Sequence, residues 1–490
     1  MNAKTAGIIG SGFAGLAAAC SLAKEGFKVS LFEKNETLGG RARKFEEKGF
    51  MFDMGPSWYW MPEVFEGFFN HFGKTASDYY ELVRLDPSYN VVFGKDEVIS
   101  VPAGYKELEE LFESIEPGSS KNLKKFLDEA GYKYKVGMEE FVWKPGLSVT
   151  EFADVRVLRS VFRLQMFSSL ASQVENLFSD DKLRQILKFP VLFLGATPEN
   201  TPALYSLMNY ADLKLGTWYP MGGMHKIIEA FVSLAKELGV EIHAGEPVER
   251  IDVINNKATG FTTSKRSYLF DYIVAGADYH HAEQKLLPEV HRMYSPRYWE
   301  NRTMAPSSLL FYLGLDKKVE GLKHHTLFFD RDFDLHAKEI YTEPAWPTDP
   351  LFYVCSPSRT DPSVAPEGKE NLFILMPLAP GIKDDEQMRE KYFDVISDRF
   401  KEVFGVDIRN HIIYKRSYCL NDFVNDYNAF KGNAYGLANT LKQTAILKPR
   451  VRHKKIKNLY FAGQLTSPGP GMPPSIISGQ MVAGLIASKG

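Results

Sequence analysis

Three glycines near the start of the chain, Gly10, Gly12 and Gly15, have the spacing of a turn that binds a dinucleotide. They lie between an apolar run, residues 6–9, which predicts a strand, and a helix-forming run, residues 16–24. In such a unit the first glycine permits a tight turn and the second lets the backbone approach a pyrophosphate. The third glycine allows the helix to pack closely on the strand.

A second strand, predicted over residues 29–33, closes this unit and ends in Glu33, whose carboxylate has the spacing to hydrogen-bond a ribose. The adjacent glycines Gly39 and Gly40 follow, and Arg41 comes directly after them. Paired glycines let the backbone approach a bulky ligand, and the arginine offers several donors to a phosphate. A second nucleotide-contacting loop this close to the first is typical of enzymes that bind FAD, which is a long, extended ligand.

A strand, loop and helix are also predicted near the end of the chain. Residues 458–463 form the strand, a loop rich in proline and glycine covers 467–474, and the helix is predicted over 475–487. Prolines preset the first turn of a helix, whose free N–H groups then point outward and form a positive end. Beside a flavin ring this end would stabilise negative charge. The alternative is an ordinary helix that only docks on the rest of the protein.

Length and composition limit the class of protein. A chain of 490 residues exceeds the size of one hydrophobic core, so two or more domains are expected. The net charge of −2 argues against a general nucleic-acid binder. Three cysteines lie far apart, which signals neither a disulfide framework nor a CxxC metal site and fits a reducing, cytoplasmic compartment. No run approaches the roughly 18 apolar residues of a membrane span, and the early first strand leaves no room for a signal peptide.

Nucleotide-type segments at both ends and in the middle of the chain predict the domain organisation. We expect an α/β fold in which residues 1–75, 220–290 and 450–490 assemble a Rossmann-like FAD-binding domain. Residues 76–219 and 291–449 are expected to form an inserted α+β substrate-binding domain. Its mostly helical part, about residues 105–216, is the candidate region for contact with a membrane.

One helix in this region has the pattern of an interfacial segment. Within residues 154–170, Arg156, Arg159 and Arg163 fall on one face, and apolar residues spread over the other. A helix that lies in the head-group layer has this pattern. An ordinary amphipathic helix on a protein core has it too, and the sequence leaves both readings open.

Two histidine pairs, His280–His281 and His324–His325, could suggest a base or a metal ligand. Adjacent residues usually point apart, so we assign neither role to them. No Ser-His-Asp or Cys-His arrangement and no metal-ligand spacing stands out in the sequence. The sequence therefore predicts no metal site and identifies no catalytic acid or base.

A set of motifs, in order and over nearly the whole chain, resembles the bacterial-type phytoene desaturases of carotenoid synthesis. The set comprises the N-terminal glycine fingerprint, the Gly39–Arg43 loop, and residues 53–57, 220–223, 275–278, 324–326, 360–368, 428–434 and 458–471. One departure is visible. Many of these enzymes read Thr-His-Pro-Gly in the closing loop, whereas this chain has Thr466-Ser467-Pro468-Gly469. A catalytic role at position 467 is therefore doubtful.

The resemblance implies an FAD-dependent enzyme that works at a membrane surface on a long apolar polyene, with quinone or oxygen as electron acceptor. The implied reaction takes phytoene toward lycopene by hydride transfer to flavin N5. The alternatives are a desaturase of a later, for example hydroxylated, carotenoid, a carotene isomerase, an amine oxidase, or a flavin-containing carrier of hydrophobic ligands. The cofactor is expected to contact Gly10, Gly12, Phe13, Ala14, Gly15, Glu33, Lys34, Gly39, Gly40, Arg41, Gly55, Pro56, Ser57, Val248, Gly463, Gln464 and Met472.

Overall fold

A parallel five-stranded sheet lies at the centre of one half of the molecule. The computed structural model describes residues 3–148, 151, 165, 168–195 and 197–489. In spatial order the strands of this sheet are Leu459–Phe461, Tyr272–Ala275, Thr5–Ile9, Lys28–Phe32 and Glu241–His243. The three inner strands are buried and mostly apolar, as expected for a parallel sheet covered on both faces.

The pairing of this sheet joins segments that are far apart in sequence. Strand Thr5–Ile9 pairs with Lys28–Phe32 on one side and with Tyr272–Ala275 on the other. Strand Leu459–Phe461 then pairs with Tyr272–Ala275. The mixed α/β fold is thus confirmed, whereas the boundaries of the two domains stay predictions.

Among the described residues, three helices cover one face of the five-stranded sheet. They are Phe13–Lys24, His225–Glu237 and Met472–Ala487. Helix His225–Glu237 is held at its start by Asp53, whose carboxylate accepts the N–H groups of Met224 at 2.7 Å and His225 at 2.8 Å. Burial raises the pKa of Asp53 to about 6. This capping contact ties the hairpin of Lys44–Glu47 and Phe50–Asp53 to the helix.

A seven-stranded mixed sheet forms the second large layer. Its strands in spatial order are Ile412–Tyr418, Ser307–Leu315, Glu370–Leu378, Phe352–Cys355, His325–Phe328, Tyr89–Gly94 and Glu97–Val101. All neighbours are antiparallel except Tyr89–Gly94 and His325–Phe328, which are parallel. Smaller sheets join Val248–Ile254, Lys257–Thr263 and Ser267–Leu269, and pair Leu82–Arg84 with Trp218–Pro220.

Most of the remaining described helices share a hydrophobic cluster with strands of the seven-stranded sheet. The stretch predicted to be helical contains Tyr105–Ile115, Ser119–Val136, Leu170–Glu175, Asp181–Lys188 and Leu207–Leu213. The other helices are Pro62–Asn70, Tyr279–His281, Pro296–Glu300, Phe333–Tyr341, Glu386–Phe404 and Leu420–Tyr427.

The predicted interfacial helix over 154–170 lies almost entirely outside the described residues, and so do Arg156, Arg159 and Arg163. Within the ranges that are described, no helix combines the length and the apolar character needed to cross a bilayer.

The crossing of helices Phe13–Lys24 and Met472–Ala487 depends on a glycine. A Cβ atom on Gly479 would lie 2.3 Å from the carbonyl oxygen of Ala14 and 2.8 Å from the N atom of Ala18. Both neighbours are backbone atoms, which cannot rotate away. We expect Gly479→Ala to force the helices apart and to lower the free energy of unfolding by roughly 1–3 kcal/mol, measured by denaturant titration.

Gly484 is the matched control, because it lies in the same helix and a Cβ there would meet no described atom within 4 Å. Gly484→Ala should leave stability unchanged or raise it by about 0.5–1 kcal/mol, since alanine loses less backbone entropy in a helix. Equal effects of the two substitutions would contradict the close crossing.

Candidate active site

A cavity of about 1090 Å³ runs from the five-stranded sheet to one face of the seven-stranded sheet. Its wall includes the loops that leave the carboxyl ends of four parallel strands: residues 10–14, 33–35, 276–278 and 462–465. Ligands of open parallel sheets bind at this edge. All the residues predicted to contact the cofactor line this cavity except Gly15.

The first glycine loop has the shape that its sequence predicted. Gly10 has a φ of 96°, and a Cβ on Gly15 would lie 1.9 Å from the carbonyl oxygen of Gly10. Gly15 therefore packs helix against strand and does not face the cavity. A Cβ on Gly12 would have no described atom within 4 Å, so space for a ligand adjoins the backbone there. The turn thus fits the approach of a pyrophosphate.

Glu33 is buried beside this loop, and its carboxylate already has several partners. One oxygen accepts the Ser11 N–H at 3.0 Å and the Ser11 hydroxyl at 2.7 Å. The other accepts the backbone and side-chain N–H groups of Asn35 at 3.0 and 3.1 Å. Because a carboxylate has about four acceptor positions, a ribose would compete with one of these donors. The contact between Glu33 and ribose stays a prediction.

The second glycine loop contacts the first. Gly39 and Gly40 have φ values of 112° and 55°, and a Cβ on Gly40 would lie 3.3 Å from the Cα atom of Gly12. The Gly39 N–H donates to the Ser11 hydroxyl at 3.1 Å. The two loops therefore meet at the backbone of glycines and form one continuous wall.

Arg41 places a positive charge on this wall. Its guanidinium lies over the Tyr427 ring at 5.2 Å and donates to the carbonyl oxygen of Asn433 at 3.2 Å. Its Nε atom is buried and has no hydrogen-bond partner within the described part of the chain. The carboxylate of Asp278 interacts electrostatically with Arg41, and burial raises the pKa of Asp278 to about 6. A donor without a partner at this place fits the phosphates of FAD.

The remaining predicted contacts also lie on the wall of the cavity. Gly55, Pro56 and Ser57 pass so close to the second loop that a Cβ on Gly55 would lie 2.5 Å from the carbonyl oxygen of Arg41. The other five are Lys34, Val248, Gly463, Gln464 and Met472. Burial lowers the pKa of Lys34. Their contact with FAD stays a prediction.

The C-terminal helix begins earlier than predicted. It covers Met472–Ala487, so Pro473 and Pro474 lie inside its first turn, and residues 471–475 line the cavity. The prediction of several free N–H groups at this end is also wrong. The prolines carry no N–H, and that of Ser475 donates to Gly471, so Met472 is the one first-turn residue with an N–H outside the helix's own bonding. Ser467 also lines the cavity.

The far part of the cavity is apolar. Leu310, Phe373 and Leu375 come from the seven-stranded sheet, and Phe141, Leu207 and Met208 from the helical region. Trp58, Trp60, Tyr205 and Tyr435 add aromatic surface. Burial raises the pKa of both tyrosine hydroxyls, so they stay protonated and act as neutral dipoles. Such a wall suits a long hydrocarbon.

The two histidine pairs differ from each other. His281 lines the cavity, whereas His280 packs on Phe430 with 4.0 Å between ring centres, so this pair points apart as expected. The expectation is wrong for His324 and His325, whose rings contact each other at 4.5 Å. The reason is local, because strand His325–Phe328 begins at the second histidine and His324 lies outside its alternation.

Sequence reasoning missed the neighbour of this second pair. Cys355 lies directly opposite His325 on the adjacent strand, and all three side chains are buried. The interval of thirty residues to Cys355 matches no metal-ligand spacing, so only the strand register brings the three residues together. The sequence offered no signal beyond the histidine pair itself, because no strand was predicted at His325.

Comparison with known proteins places these features in a family. The model of the flavin containing amine oxidoreductases matches residues 13–487. A carotenoid 3,4-desaturase of Haloarcula japonica is 43% identical over 97% of this chain and 96% of that protein. A zeta-carotene-forming phytoene desaturase of Myxococcus xanthus is 32% identical, over 98% and 94%. The crystal structure of an oxidoreductase from Methanosarcina mazei has a similar fold, with a TM-score of 0.63, 18% identity, and coverage of 97% of this chain and 98% of that one.

Gly12 gives a direct test of the cofactor wall. Its φ of −68° is open to alanine, and the added methyl group contacts no described protein atom. We therefore expect Gly12→Ala to fold with unchanged stability of the cofactor-free protein but to bind FAD at least about tenfold more weakly. Fluorescence titration with FAD and thermal unfolding measure the two quantities.

Gly67→Ala serves as the control, because a Cβ on Gly67 also meets no described atom within 4 Å and this residue does not line the cavity. It should bind FAD like the unaltered chain. Full FAD affinity in Gly12→Ala would show that the pyrophosphate lies elsewhere.

Proposed function

Because the chain belongs to the carotenoid desaturases, within the flavin containing amine oxidoreductase family, we propose that it removes two hydrogens across a carbon–carbon bond of a long polyene carotenoid. Membership confirms the resemblance that the motifs indicated. It also confirms the predictions of an FAD cofactor and of an FAD-dependent oxidoreductase. The exact substrate, the step and the membrane association belong to the proposal.

One observation carries the proposal: a single cavity joins a glycine-lined end to a hydrocarbon-lined end. The glycine loops and Arg41 suit a dinucleotide, and Leu310, Phe373 and Leu375 suit an apolar chain. When bound, FAD supplies a hydride acceptor, and a developing allylic cation is delocalised over the polyene. The protein itself orients the substrate bond toward the cofactor and keeps water away from it. These tasks need shape and burial more than a charged catalytic group.

Two substrates within this class remain distinct proposals. The motifs predict phytoene, as in the Myxococcus xanthus relative. The higher identity to the Haloarcula japonica relative, 43% against 32%, favours the 3,4 bond of a carotenoid. Both matches cover nearly the whole chain, so their identities can be compared directly. We therefore propose the carotenoid with a 3,4 single bond as the substrate, ahead of phytoene.

We further propose that the cavity opens at a membrane surface, with the protein bound peripherally on the cytoplasmic side. Trp143 follows cavity-lining residues 141 and 142 and is 45% exposed, and Leu447 follows Ile446 and is 50% exposed. Arg450 donates to the carbonyl oxygen of Leu147 at 3.0 Å and so holds the two segments together. Exposed apolar side chains beside a hydrocarbon-lined opening suit the transfer of a carotenoid from a bilayer. Quinone or oxygen is the proposed final electron acceptor.

Anaerobic incubation with carotenoid in liposomes tests the reaction. Separate samples contain phytoene, a carotenoid with a long conjugated system and an unreacted 3,4 single bond, or lipid alone. We expect bleaching of the flavin absorbance and a longer conjugated system in the product only with the second sample. Conversion of phytoene and not of the other carotenoid would identify phytoene as the substrate. Bleaching in neither sample would contradict desaturation, and amine turnover with peroxide release would identify an amine oxidase instead.

Vesicle flotation tests the membrane proposal. The double variant Trp143→Ser with Leu447→Ser should float with anionic vesicles at least about tenfold less than the unaltered chain, because apolar area leaves the interface. Leu269→Ser with Val290→Ser is the matched control, since these side chains are 80% and 79% exposed and do not line the cavity. Equal losses in the two double variants would contradict the proposed orientation.

A further inference from the structure

The buried cluster of His324, His325 and Cys355 has the features of a metal site that the proposed reaction does not use. The three side chains are at most 4% exposed. One ligand atom from each residue lies within 4.8 Å of the others. Cys355 and His325 are direct partners in the antiparallel pairing of strands Phe352–Cys355 and His325–Phe328. Their side chains therefore leave the same face of the sheet.

In each imidazole one nitrogen forms a hydrogen bond, and the other nitrogen is available to coordinate a metal. The Nδ1 atom of His324 bonds the hydroxyl of Thr360 at 2.7 Å, and that of His325 bonds the hydroxyl of Tyr353 at 2.6 Å. Both Nε2 atoms are buried without a hydrogen-bond partner in the portion of the chain that is described. In metal sites an outer hydrogen bond on one imidazole nitrogen fixes the ring so that the other can coordinate.

We propose that His324, His325 and Cys355 bind a thiophilic divalent cation, for which Zn²⁺ is the best match. Imidazole nitrogen and thiolate sulfur are both usual ligand types of zinc in proteins. Ligand atoms of a tetrahedral zinc lie about 3.5 Å apart, so side-chain shifts of roughly an ångström complete the site. The metal replaces the thiol proton of Cys355, which passes to solvent, and no oxidation is involved.

Two carboxylates contribute negative charge near the cluster. The carboxylates of Asp361 and Asp53 interact electrostatically with His324 and Cys355, respectively. A second, small cavity of about 20 Å³ adjoins Cys355. A space of this size holds one water molecule beside Cys355.

The site lies one side chain behind the wall of the main cavity. The Trp58 ring stacks on His325 with 4.1 Å between ring centres and an angle of 12°. Trp58 also lines the main cavity. Cys355 shares the small cavity with Gly55, Pro56 and Ser57. A bound ion would thus hold His325 and Cys355, on which residues 55–58 pack, without contacting the substrate. Its role is to position this loop.

Metal analysis and cobalt substitution test the site on the FAD-loaded protein purified after growth with added zinc. We expect about one zinc ion per chain, and none in Cys355→Ser or His324→Gln. After removal of zinc with a chelator, added Co²⁺ should produce a thiolate-to-cobalt charge-transfer band in the unaltered chain. Zinc should also raise the Tm of the chelator-treated protein. These readouts do not depend on desaturase activity.

Cys419→Ser is the matched control, because Cys419 is also buried and has no role in the cluster. It should keep both the zinc and the cobalt band. A folded, unaltered chain without metal, without a cobalt–thiolate band and without a zinc-dependent Tm would overturn the proposal. The same holds for equal metal content in the unaltered chain and both cluster variants.

Discussion

The carbonyl oxygen of Gly10 occupies the place that a side chain on Gly15 would need, 1.9 Å from a Cβ there, and the arrangement of the cavity follows from this contact. It sets the first helix against the first strand, so the helix begins at the edge of the sheet. Gly276 packs on the same point, with a Cβ there only 3.0 Å from Gly15. Three segments of the chain thereby meet at backbone distance, and the walls of the cavity are fixed relative to one another.

The fold around this contact could largely be predicted from the sequence, because local patterns determine it. The strands predicted over residues 6–9 and 29–33 are Thr5–Ile9 and Lys28–Phe32, and the helix predicted over 16–24 is Phe13–Lys24. The glycine loops were recognisable for the same reason, since tight turns and close backbone approach require glycine at fixed intervals. The candidate site was thus located by residues whose roles depend on neighbours in sequence.

Features that depend on distant pairing could not be predicted. The opposition of His325 and Cys355 follows from strand register, which periodicity does not specify. The hydrogen bonds that Asn35 donates to the Glu33 carboxylate could not be predicted either, because the sequence carries no signal for them. At the C-terminal helix the prolines were read as preceding the first turn, although proline fits within it, and the start at Met472 was missed.

The order of strands in the five-stranded sheet also bears on how the protein is made. Strand Leu459–Phe461 completes the edge beside Tyr272–Ala275, and helix Met472–Ala487 covers the first helix, yet both are synthesised long after Thr5–Ile9. On the ribosome the early helix therefore waits with an uncovered apolar face until the last segment emerges. The wall of the cofactor cavity is completed late, so a nascent chain can bind a cofactor fully only when translation is nearly finished.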